Sequence, residues 1–459
     1  MARRDGTGWA TSALSLGTAL NPLNSSMIAV ALVVLRGDFH LDVATVTWVI
    51  TAFYLASAAA QPLMGRLADR FGPRRLFGFG MILVAISCAL APFSPNFALV
   101  CAARVLMAVG TATAFPSSVV MVAALSKKAG VSSTRPLGRI QMANTAGAAI
   151  GPVIGGLLVS LVGWQALFYI NVPLAVAAYL AVRRFAPADA PRERAGLRAL
   201  LRESDIPGIA AFIGALTLLM MALLDALPGY RWLLLAAGVL AAVLFAWREL
   251  RFAVPFLDLR LLGRNRPLLL MYACFAVFNA VYYFAFFGLP QLLEQAAGYG
   301  AGTVGALMLP LAAMSVFLTP LAARSIDRWG VRRVMIAGVS GLGVASAALL
   351  LLAGSTAAPL VAALTALLGI PYSVVSISSN QGVYASARPQ DRGVAAGIYQ
   401  TCRYLGAISA TVMIGLFYGG GVTLANWGKM AVVMVALSAV ALILTLRWRA
   451  APSATASAR

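Results

Sequence analysis

The sequence predicts an all-α membrane protein made of two related six-helix bundles, with a two-helix hairpin inserted between them. Three observations support this fold class. Of the 459 residues, 61% are hydrophobic and 11% are charged, whereas roughly a quarter of a soluble chain is charged. The apolar residues form runs that are long enough to span a bilayer. A short charged segment between two such runs occurs twice along the chain.

The apolar runs set the number of predicted spans, because a helix needs about 20 apolar residues to cross the hydrocarbon core. Fourteen segments meet this length. They run roughly over 9–35, 45–64, 75–93, 97–124, 138–162, 165–185, 206–225, 231–248, 266–290, 303–323, 333–353, 359–382, 393–418 and 427–447. An even number of spans places both termini on one side of the membrane. Arg and Lys concentrate in the loops of that side, which predicts cytoplasmic termini.

The net charge and the rarity of reactive side chains exclude several classes of function. The formal net charge is +21, but the basic residues lie in short loops where they set topology, so we expect no nucleic-acid partner. The four cysteines fall within apolar runs and have no metal-ligand spacing. His40 is the one histidine, and no nucleophile triad or nucleotide-binding glycine loop is present. The sequence therefore predicts no enzyme, no metal, no cofactor and no direct use of ATP.

The repeated charged segment is the basis for dividing the chain into two halves. Its first copy is Gly65–Arg75 and its second is Arg324–Arg333. The matched residues share the offset from Asp69 to Asp327, and they pair Asp69, Arg70, Gly72, Arg74 and Arg75 with Asp327, Arg328, Gly330, Arg332 and Arg333. This offset exceeds six spans and a linker by about the length of one further hairpin. The duplication is typical of alternating-access transporters.

The predicted organisation follows from the offset and the spans. It comprises, roughly, an N-terminal six-helix bundle at 1–185, a cytoplasmic linker at 186–205, the inserted hairpin at 206–248, a cytoplasmic connector at 249–265, a C-terminal six-helix bundle at 266–449 and a disordered tail at 450–459.

The charged segment predicts a gating latch. Gly65 permits close helix approach and Gly72 supports a tight turn. Asp69 can pair with arginines or accept from N–H groups at a helix N-terminus. The alternative is that the segment only marks a cytoplasmic loop. The predicted latch residues are Gly65, Asp69, Arg70, Gly72, Arg74, Arg75, Asp327 and Arg328.

Two arginines lie inside predicted spans, Arg104 in the fourth and Arg403 in the thirteenth. A guanidinium at such a depth is costly unless it faces a wet cavity or a partner. We predict that each binds substrate charge or couples to protons. For Arg104 the alternative is a side chain that snorkels to the outer surface.

The fifth span carries a stripe of glycines and an internal proline. Gly147, Gly151 and Gly155 recur at every fourth position and leave a bare stripe that permits close packing. Pro152 removes an intrahelical hydrogen bond and bends the span. Gly156 extends the small surface.

Together these motifs resemble the fourteen-helix drug:proton antiporter branch of the major facilitator superfamily over nearly the whole chain. The segment Gly147–Gly156, followed by Trp164–Pro173, is the most specific similarity. The resemblance implies that Gly147, Gly151, Pro152, Gly155 and Gly156 act as a hinge and as a seal against leak. The resemblance implies the major facilitator fold and a bacterial inner-membrane exporter that drives small amphipathic compounds outward by alternating access and proton antiport. Expected partners are a small-molecule substrate, protons and membrane lipid, with the chain acting as a monomer.

The resemblance also implies a central substrate cavity with polar residues in its walls. The candidates are Asn21, Asn24, Ser25, Gln141, Asn144, Asn279, Tyr282, Tyr283, Asn380, Gln381 and Gln400. Each could instead be an interhelical hydrogen-bond partner.

One departure from the family concerns acidic residues. Asn24 lies where many relatives carry an acid in the first helix, and Asp225 and Glu294 come closest to the membrane at predicted span ends. A cavity with buried arginines and no midplane carboxylate suits neutral, zwitterionic or anionic compounds better than lipophilic cations. Two alternatives stay open: a lipid or metabolite exporter without tight proton coupling, and a non-transporting scaffold or sensor on the same fold.

Overall fold

The computed structural model describes residues 2–129, 134–189, 205–223, 227, 229–252, 255, 259–386 and 392–449. Within these residues all regular secondary structure is helical. The predicted tail at 450–459 and positions 190–204 of the predicted linker lie outside the described residues. So do the side chains of Asp69, Arg70 and Gln141, whose backbones are helical.

The helices follow one another with short connections. In the first part of the chain they are α1 (Ala2–Met27), α2 (Leu32–Asp38), α3 (Val43–Val46), α4 (Trp48–Phe71), α5 (Pro73–Leu90), α6 (Phe97–Ala112), α7 (Ala114–Ala129), α8 (Thr134–Val162), α9 (Ala166–Tyr169) and α10 (Asn171–Phe185). In the second part they are α11 (Ile206–Leu223), α12 (Arg231–Arg251), α13 (Leu259–Arg264), α14 (Arg266–Gln295), α15 (Ala301–Trp329), α16 (Val331–Ala348), α17 (Ala358–Ser386), α18 (Arg392–Tyr418) and α19 (Leu424–Arg447). Three short 3₁₀ segments, at Ile28–Ala31, Ala91–Phe93 and Leu349–Ala353, extend α1, α5 and α16.

The described residues contain fewer candidate membrane spans than the fourteen that the sequence predicts. Among the described residues, 12 helices are long and apolar enough to cross a membrane, or up to 13 if the bent pair within α8 counts as one span. The helix α18, at the thirteenth predicted span, is not among them. It carries Arg403 together with the polar residues Gln400 and Thr401. The count of fourteen spans stays a prediction.

The chain forms two compact units. The first comprises Met1–Leu41, Val46–Ile206 and Gly300–Ala306, and the second comprises Asp42–Thr45, Pro207–Tyr299 and Leu307–Arg459. In the first unit α1 packs along α8 and α10, while α5 packs along α6 and α10. In the second unit α14 packs along α18 and α19, while α16 packs along α17 and α19. These four helix pairs of the first unit therefore have four counterparts in the second.

Candidate functional site

The first unit encloses the side chain of Arg104, which is 2% exposed. Its Nε donates to the carbonyl oxygen of Val49 at 3.3 Å, and its Nη1 donates to that of Asn24 at 3.2 Å. Its Cζ lies 4.4 Å from the centre of the Phe53 ring. The Nη2 atom is buried and has no hydrogen-bond partner among the described residues. No carboxylate in the described part of the chain forms an ion pair with Arg104, so its charge is held only by carbonyl dipoles and a ring face.

The local structure of α1 helps to explain how its backbone can accept from Arg104. Asn24 lies in the last turn of α1, just before the chain tightens into the 3₁₀ segment Ile28–Ala31. Carbonyl groups at the end of an α-helix lack their regular intrahelical donors. The change of helix type therefore leaves acceptors near Asn24 that a buried guanidinium can use.

A pair of buried asparagines joins α1 to α10. Asn24 Nδ2 donates to Asn171 Oδ1 at 2.7 Å, and Asn171 Nδ2 donates to Asn24 Oδ1 at 2.6 Å. Each amide also donates to a carbonyl oxygen of the preceding turn, Leu20 for Asn24 and Leu167 for Asn171. Asn24 thus has the interhelical role that the sequence left open beside a cavity role. Asn171 was missed as a site residue, although an amide within the segment Trp164–Pro173 was a signal for it.

The other predicted polar candidates of the first unit behave differently from one another. Asn21 Nδ2 donates to Thr111 Oγ1 of α6 at 2.9 Å. The hydroxyl of Ser25 donates to the carbonyl oxygen of Pro22 within α1 at 2.9 Å. Asn144 is buried, and its Oδ1 has no hydrogen-bond partner in the described part of the chain. Asn144 is therefore the amide of this group that keeps a free acceptor for a ligand.

The glycine stripe of α8 packs directly against the backbone of α1. A Cβ at Gly151 would overlap the hydroxyl of Ser26 and lie 3.0 Å from the Met27 nitrogen. A Cβ at Gly155 would lie 2.7 Å from the Met27 oxygen, and one at Gly147 would lie 3.0 Å from another carbonyl oxygen of α1. Distances this short leave no room for a side chain at any of the three positions.

The helix α8 bends within the range of its glycine stripe. Its axis turns by 41° between Met142–Ala148 and Ile150–Val162. Pro152 lies one turn beyond the break, and the missing N–H with the ring clash accounts for the bend. A Cβ at Gly156 would lie 2.8 Å from the Cα of Gly305, which belongs to the same compact unit. The helix α8 is thus bent and lies against backbone at its glycines, and its role as hinge and seal stays a prediction.

In the second unit Arg403 lies among aromatic side chains. Its Cζ is 5.9 Å from the centre of the Phe275 ring. Its Nε is buried and has no hydrogen-bond partner among the described residues. The groups that interact with it electrostatically are the tyrosines Tyr283, Tyr372, Tyr399 and Tyr404. No described carboxylate pairs with Arg403.

The rings next to Arg403 form a stacked aromatic cluster of Phe275, Phe278, Tyr282, Tyr372 and Tyr399. Ring centroids are 4.0 Å apart for Phe275 and Tyr399 and 4.3 Å apart for Tyr282 and Tyr372. Phe278 stacks at 6.2 Å on both Phe275 and Tyr282. The rings come from α14, α17 and α18, and each is at most 5% exposed, so the cluster is a buried stack shared by three helices. Of these five residues, the sequence indicated only Tyr282 as a cavity candidate.

The remaining predicted candidates of the second unit are split between interior and surface. Asn279 donates to the Phe275 carbonyl oxygen of its own helix at 2.7 Å and is buried. Gln400 is half-buried, and its Oε1 has no hydrogen-bond partner among the described residues. Asn380 is half-buried and Gln381 is exposed. Gln400 therefore joins Arg403 as a group with an unfilled hydrogen-bonding position.

A largely enclosed carboxyl group lies near the end of α14. Glu294 is half-buried, and its Oε1 is buried without a hydrogen-bond partner in the described part of the chain. No described basic side chain forms an ion pair with it. The sequence placed Glu294 at a span end and did not include it among the site residues.

The two charged turns have matching backbones. Gly72 has φ 95° and ψ 129°, and Gly330 has φ 81° and ψ 156°. A positive φ is a conformation that glycine adopts far more readily than other residues, so each turn depends on its glycine. At Gly65, by contrast, an added Cβ would meet no described heavy atom within 4 Å, and the predicted close helix approach is not found there.

Equivalent arginines bind the end of an equivalent helix in the two units. The guanidinium of Arg74 donates to the carbonyl oxygen of Arg183 near the end of α10. The guanidinium of Arg332 donates to the carbonyl oxygens of Leu446 and Trp448 at the end of α19, at 2.8 and 3.0 Å. Cations suit helix C-termini because unsatisfied carbonyl groups concentrate there.

The two turns differ at the N-terminus of the following helix. Backbone N–H groups of Arg74 and Arg75 donate to the two carboxylate oxygens of Asp189, each at 3.0 Å. The role of N-terminal acceptor considered for Asp69 is thus filled by Asp189, from the start of the predicted linker. Local pattern could not reveal this contact, because the two segments are far apart in the sequence. In the second turn Asp327 is exposed and forms no ion pair with a described residue.

Comparison with known proteins agrees with this architecture. Residues 14–411 match the family described as Major Facilitator Superfamily. The chain is 36% identical over 448 residues to an uncharacterized MFS-type transporter, YwoD, of Bacillus subtilis, with 96% of each chain covered. It is 29% identical over 430 residues to the tetracenomycin C resistance and export protein of Streptomyces glaucescens, covering 90% of this chain and 76% of that protein.

A solved structure shows the same fold at low sequence identity. The crystal structure of a POT family transporter in complex with 5-aminolevulinic acid superimposes with a TM-score of 0.73 at 13% identity, covering 97% of this chain and 96% of that one. The many apolar helices indicate a multi-pass membrane protein. The chain therefore belongs to the Major Facilitator Superfamily, a family of membrane transporters.

Proposed function

We propose that this protein is a secondary active efflux transporter of the fourteen-helix drug:proton antiporter branch, which exports small amphipathic compounds across the bacterial cell membrane by alternating access. The observation that carries this function is the unmatched charge of Arg104, which is buried and retains a donor without a partner among the described residues. A membrane protein keeps such a group where a substrate or a coupling ion completes its interactions. The similarity to the tetracenomycin C export protein supports the outward direction.

The substrate of this exporter is neutral, zwitterionic or anionic. Both buried arginines lack a carboxylate partner in the described part of the chain, so each adds positive potential that repels a lipophilic cation. The aromatic cluster is buried and its rings stack on one another, so it supplies an apolar wall for a ring system, with the Nε of Arg403 and the Oε1 of Gln400 as polar positions beside it. Tyr282 and Tyr283 belong to the same wall.

In this mechanism α8 acts as the hinge and seal, and the charged turns act as the latch. The latch residues are Gly65, Asp69, Arg70, Gly72, Arg74, Arg75, Asp327 and Arg328. The bend of 41° in α8 and its glycine contacts with α1 support the first role. The repeated arginine contacts with helix ends support the second.

A second candidate is a lipid or metabolite exporter that works without tight proton coupling. It is favoured by the buried asparagine pair, since Asn24 stands where many relatives carry an acid and its amide is fully engaged with Asn171. Under proton antiport the acid that carries the proton is Glu294, whose Oε1 is buried and unpartnered among the described residues.

The first experiment tests transport itself. Export from cells that lack their own exporters is screened over matched cationic, neutral and anionic compounds, with and without a protonophore. We expect efflux of neutral or anionic compounds that the protonophore abolishes, and loss of efflux in Arg104→Ala with a normal amount of folded protein. Preferred binding of ethidium-like cations would overturn the substrate assignment. No flux in inside-out vesicles with any compound would leave the scaffold or sensor as the function.

The second experiment separates the two coupling modes. Substrate is added to detergent-solubilised protein and proton release is measured with a pH dye. Antiport through Glu294 predicts release from the wild type and its loss in Glu294→Gln, with substrate binding retained. Facilitated export predicts no release from either protein.

A further inference from the structure

The second unit has an apolar groove next to the second charged turn, and the transport mechanism gives this groove no role. It has a volume of about 310 Å³ and lies where α15, α16 and α17 meet. Its walls are formed by Leu318, Leu321, Ala322, Val334, Ala337, Ile370 and Val374. Leu321 is 55% exposed. A groove of this kind on membrane-spanning helices faces lipid or protein rather than water.

One end of the groove carries an indole and positive charge. Trp329 and Arg333 line it next to the turn at Gly330, and Trp329 is 55% exposed. The Cζ of Arg328 lies 6.0 Å from the centre of the Trp329 ring. Asp327 is the acid of this turn, and it is exposed and forms no ion pair with a described residue. Two guanidinium groups therefore flank one indole at the mouth of an apolar groove.

The first charged turn indicates which chemistry belongs at this mouth. There the carboxylate of Asp189 accepts from the first N–H groups of α5. At the matching positions of α16, Arg332 and Arg333, no described carboxylate accepts from the backbone. An anion supplied by another molecule would take the place that Asp189 fills in the first turn.

We propose that this groove binds an anionic glycerophospholipid, with an acyl chain between α15, α16 and α17 and the phosphate at Arg328 and Arg333. The apolar walls fit a hydrocarbon chain, and the two guanidinium groups favour a phosphate head group with net negative charge over a zwitterionic one, whose own cation they repel. Tryptophan is the residue that membrane proteins place at head-group level. On the predicted topology the mouth faces the cytoplasmic leaflet, whose anionic lipids attract basic clusters.

The test uses Trp329 as the probe. The full chain is reconstituted in phosphatidylcholine nanodiscs that contain the same fraction of acyl-brominated phosphatidylglycerol or acyl-brominated phosphatidylcholine. Bromine quenches tryptophan on contact, and the Trp329 contribution is the difference between the wild type and Trp329→Phe. We expect quenching of that contribution to be stronger with brominated phosphatidylglycerol by about twofold or more. Equal quenching by both lipids in the wild type would overturn the proposal.

Matched variants separate a site from general surface charge. Arg328→Gln with Arg333→Gln should remove the preference for phosphatidylglycerol. Arg324→Gln removes a charge near the same turn that neither lines the groove, as Arg333 does, nor contacts the Trp329 ring, as Arg328 does, so it should leave the preference intact. An equal loss in both variants, or a preference that survives the double change, would contradict the assignment. Ala337→Leu fills the groove and should reduce quenching by both lipids, with folding checked by size-exclusion chromatography.

Discussion

The helix pair α1–α8 of the first unit and the pair α14–α18 of the second occupy matching positions but are packed by different groups. In the first pair, glycines of α8 lie directly on the backbone of α1. In the second pair, Gly406 makes a similar close contact, with Asn279 Cβ 2.6 Å from its added Cβ, while aromatic rings fill the rest of the wall. The comparison teaches that a duplicated bundle can keep matching helix pairs while packing them differently. Glycine-to-backbone contacts dominate the first pair, and stacked aromatic rings dominate the second.

The largest expected effect comes from filling the glycine stripe. Gly151→Leu would drive a side chain into Ser26 and Met27, so we expect loss of efflux and a lower unfolding temperature. Gly214→Leu on α11 is the matched control, because an added Cβ there meets no described atom within 4 Å. The efflux activity and the unfolding temperature in detergent are measured for both variants. Wild-type behaviour of Gly151→Leu would show that α1 and α8 are not in close contact.

The second effect concerns the aromatic wall. Arg403→Gln removes the positive charge beside the cluster while keeping a polar side chain. Since hydrogen bonds to charged groups contribute about 1.5–3 kcal/mol, binding of an anionic substrate should weaken by about 10- to 100-fold, with little change for a neutral analogue. Isothermal titration with the two analogues measures the difference, and the exposed Arg264→Gln serves as the control. Equal losses for both analogues would remove Arg403 from charge recognition.

A smaller effect should come from the pair of Asn24 and Asn171 in the first unit, which has no counterpart in the aromatic wall of the second unit. Asn171→Leu leaves the buried amide of Asn24 without its partner, which should cost about 1–2 kcal/mol of stability. Asn24→Leu combined with Asn171→Leu should cost less than the sum of the single changes. The free energy of unfolding is compared across this double-mutant cycle. Additive losses would mean that the two amides do not interact.

The smallest expected effect concerns the arginine contacts with helix C-termini, which the two units share. Arg74→Gln and Arg332→Gln each remove a cation from a helix C-terminus, and each should destabilise the protein by up to about 1 kcal/mol. Unfolding temperatures of both variants should fall by similar amounts. A large loss for one and none for the other would show that the matching contacts have diverged in function.

The sequence predicted features that depend on local spacing. The stripe of Gly147, Gly151 and Gly155 follows from a four-residue period, and the turns at Gly72 and Gly330 follow from a repeated motif. The same reasoning found Arg104 and Arg403, because a charge stands out in an apolar run.

What the sequence missed depends on contacts between distant segments. Asp189 lies in a charged stretch that looked like plain linker, and its role depends on α10 bringing it to α5. Asn24 and Asn21 suited a cavity or a helix contact equally well, and the helix contacts with Asn171 and Thr111 could not be read from the sequence. The count of fourteen spans rested on apolarity alone, and polar helices such as α18 lie at the limit of that criterion.

The contact of Asp189 with the start of α5 has a practical consequence for engineering. Residues up to Asp189 are part of the folded first unit, although composition assigns them to the connecting segment. A reporter domain or a protease site inserted between the end of α10 and Asp189 would break the hydrogen bonds between this carboxylate and the backbone N–H groups of α5. Insertions meant to report on movement, or to split the transporter into two co-expressed chains, therefore belong after residue 189.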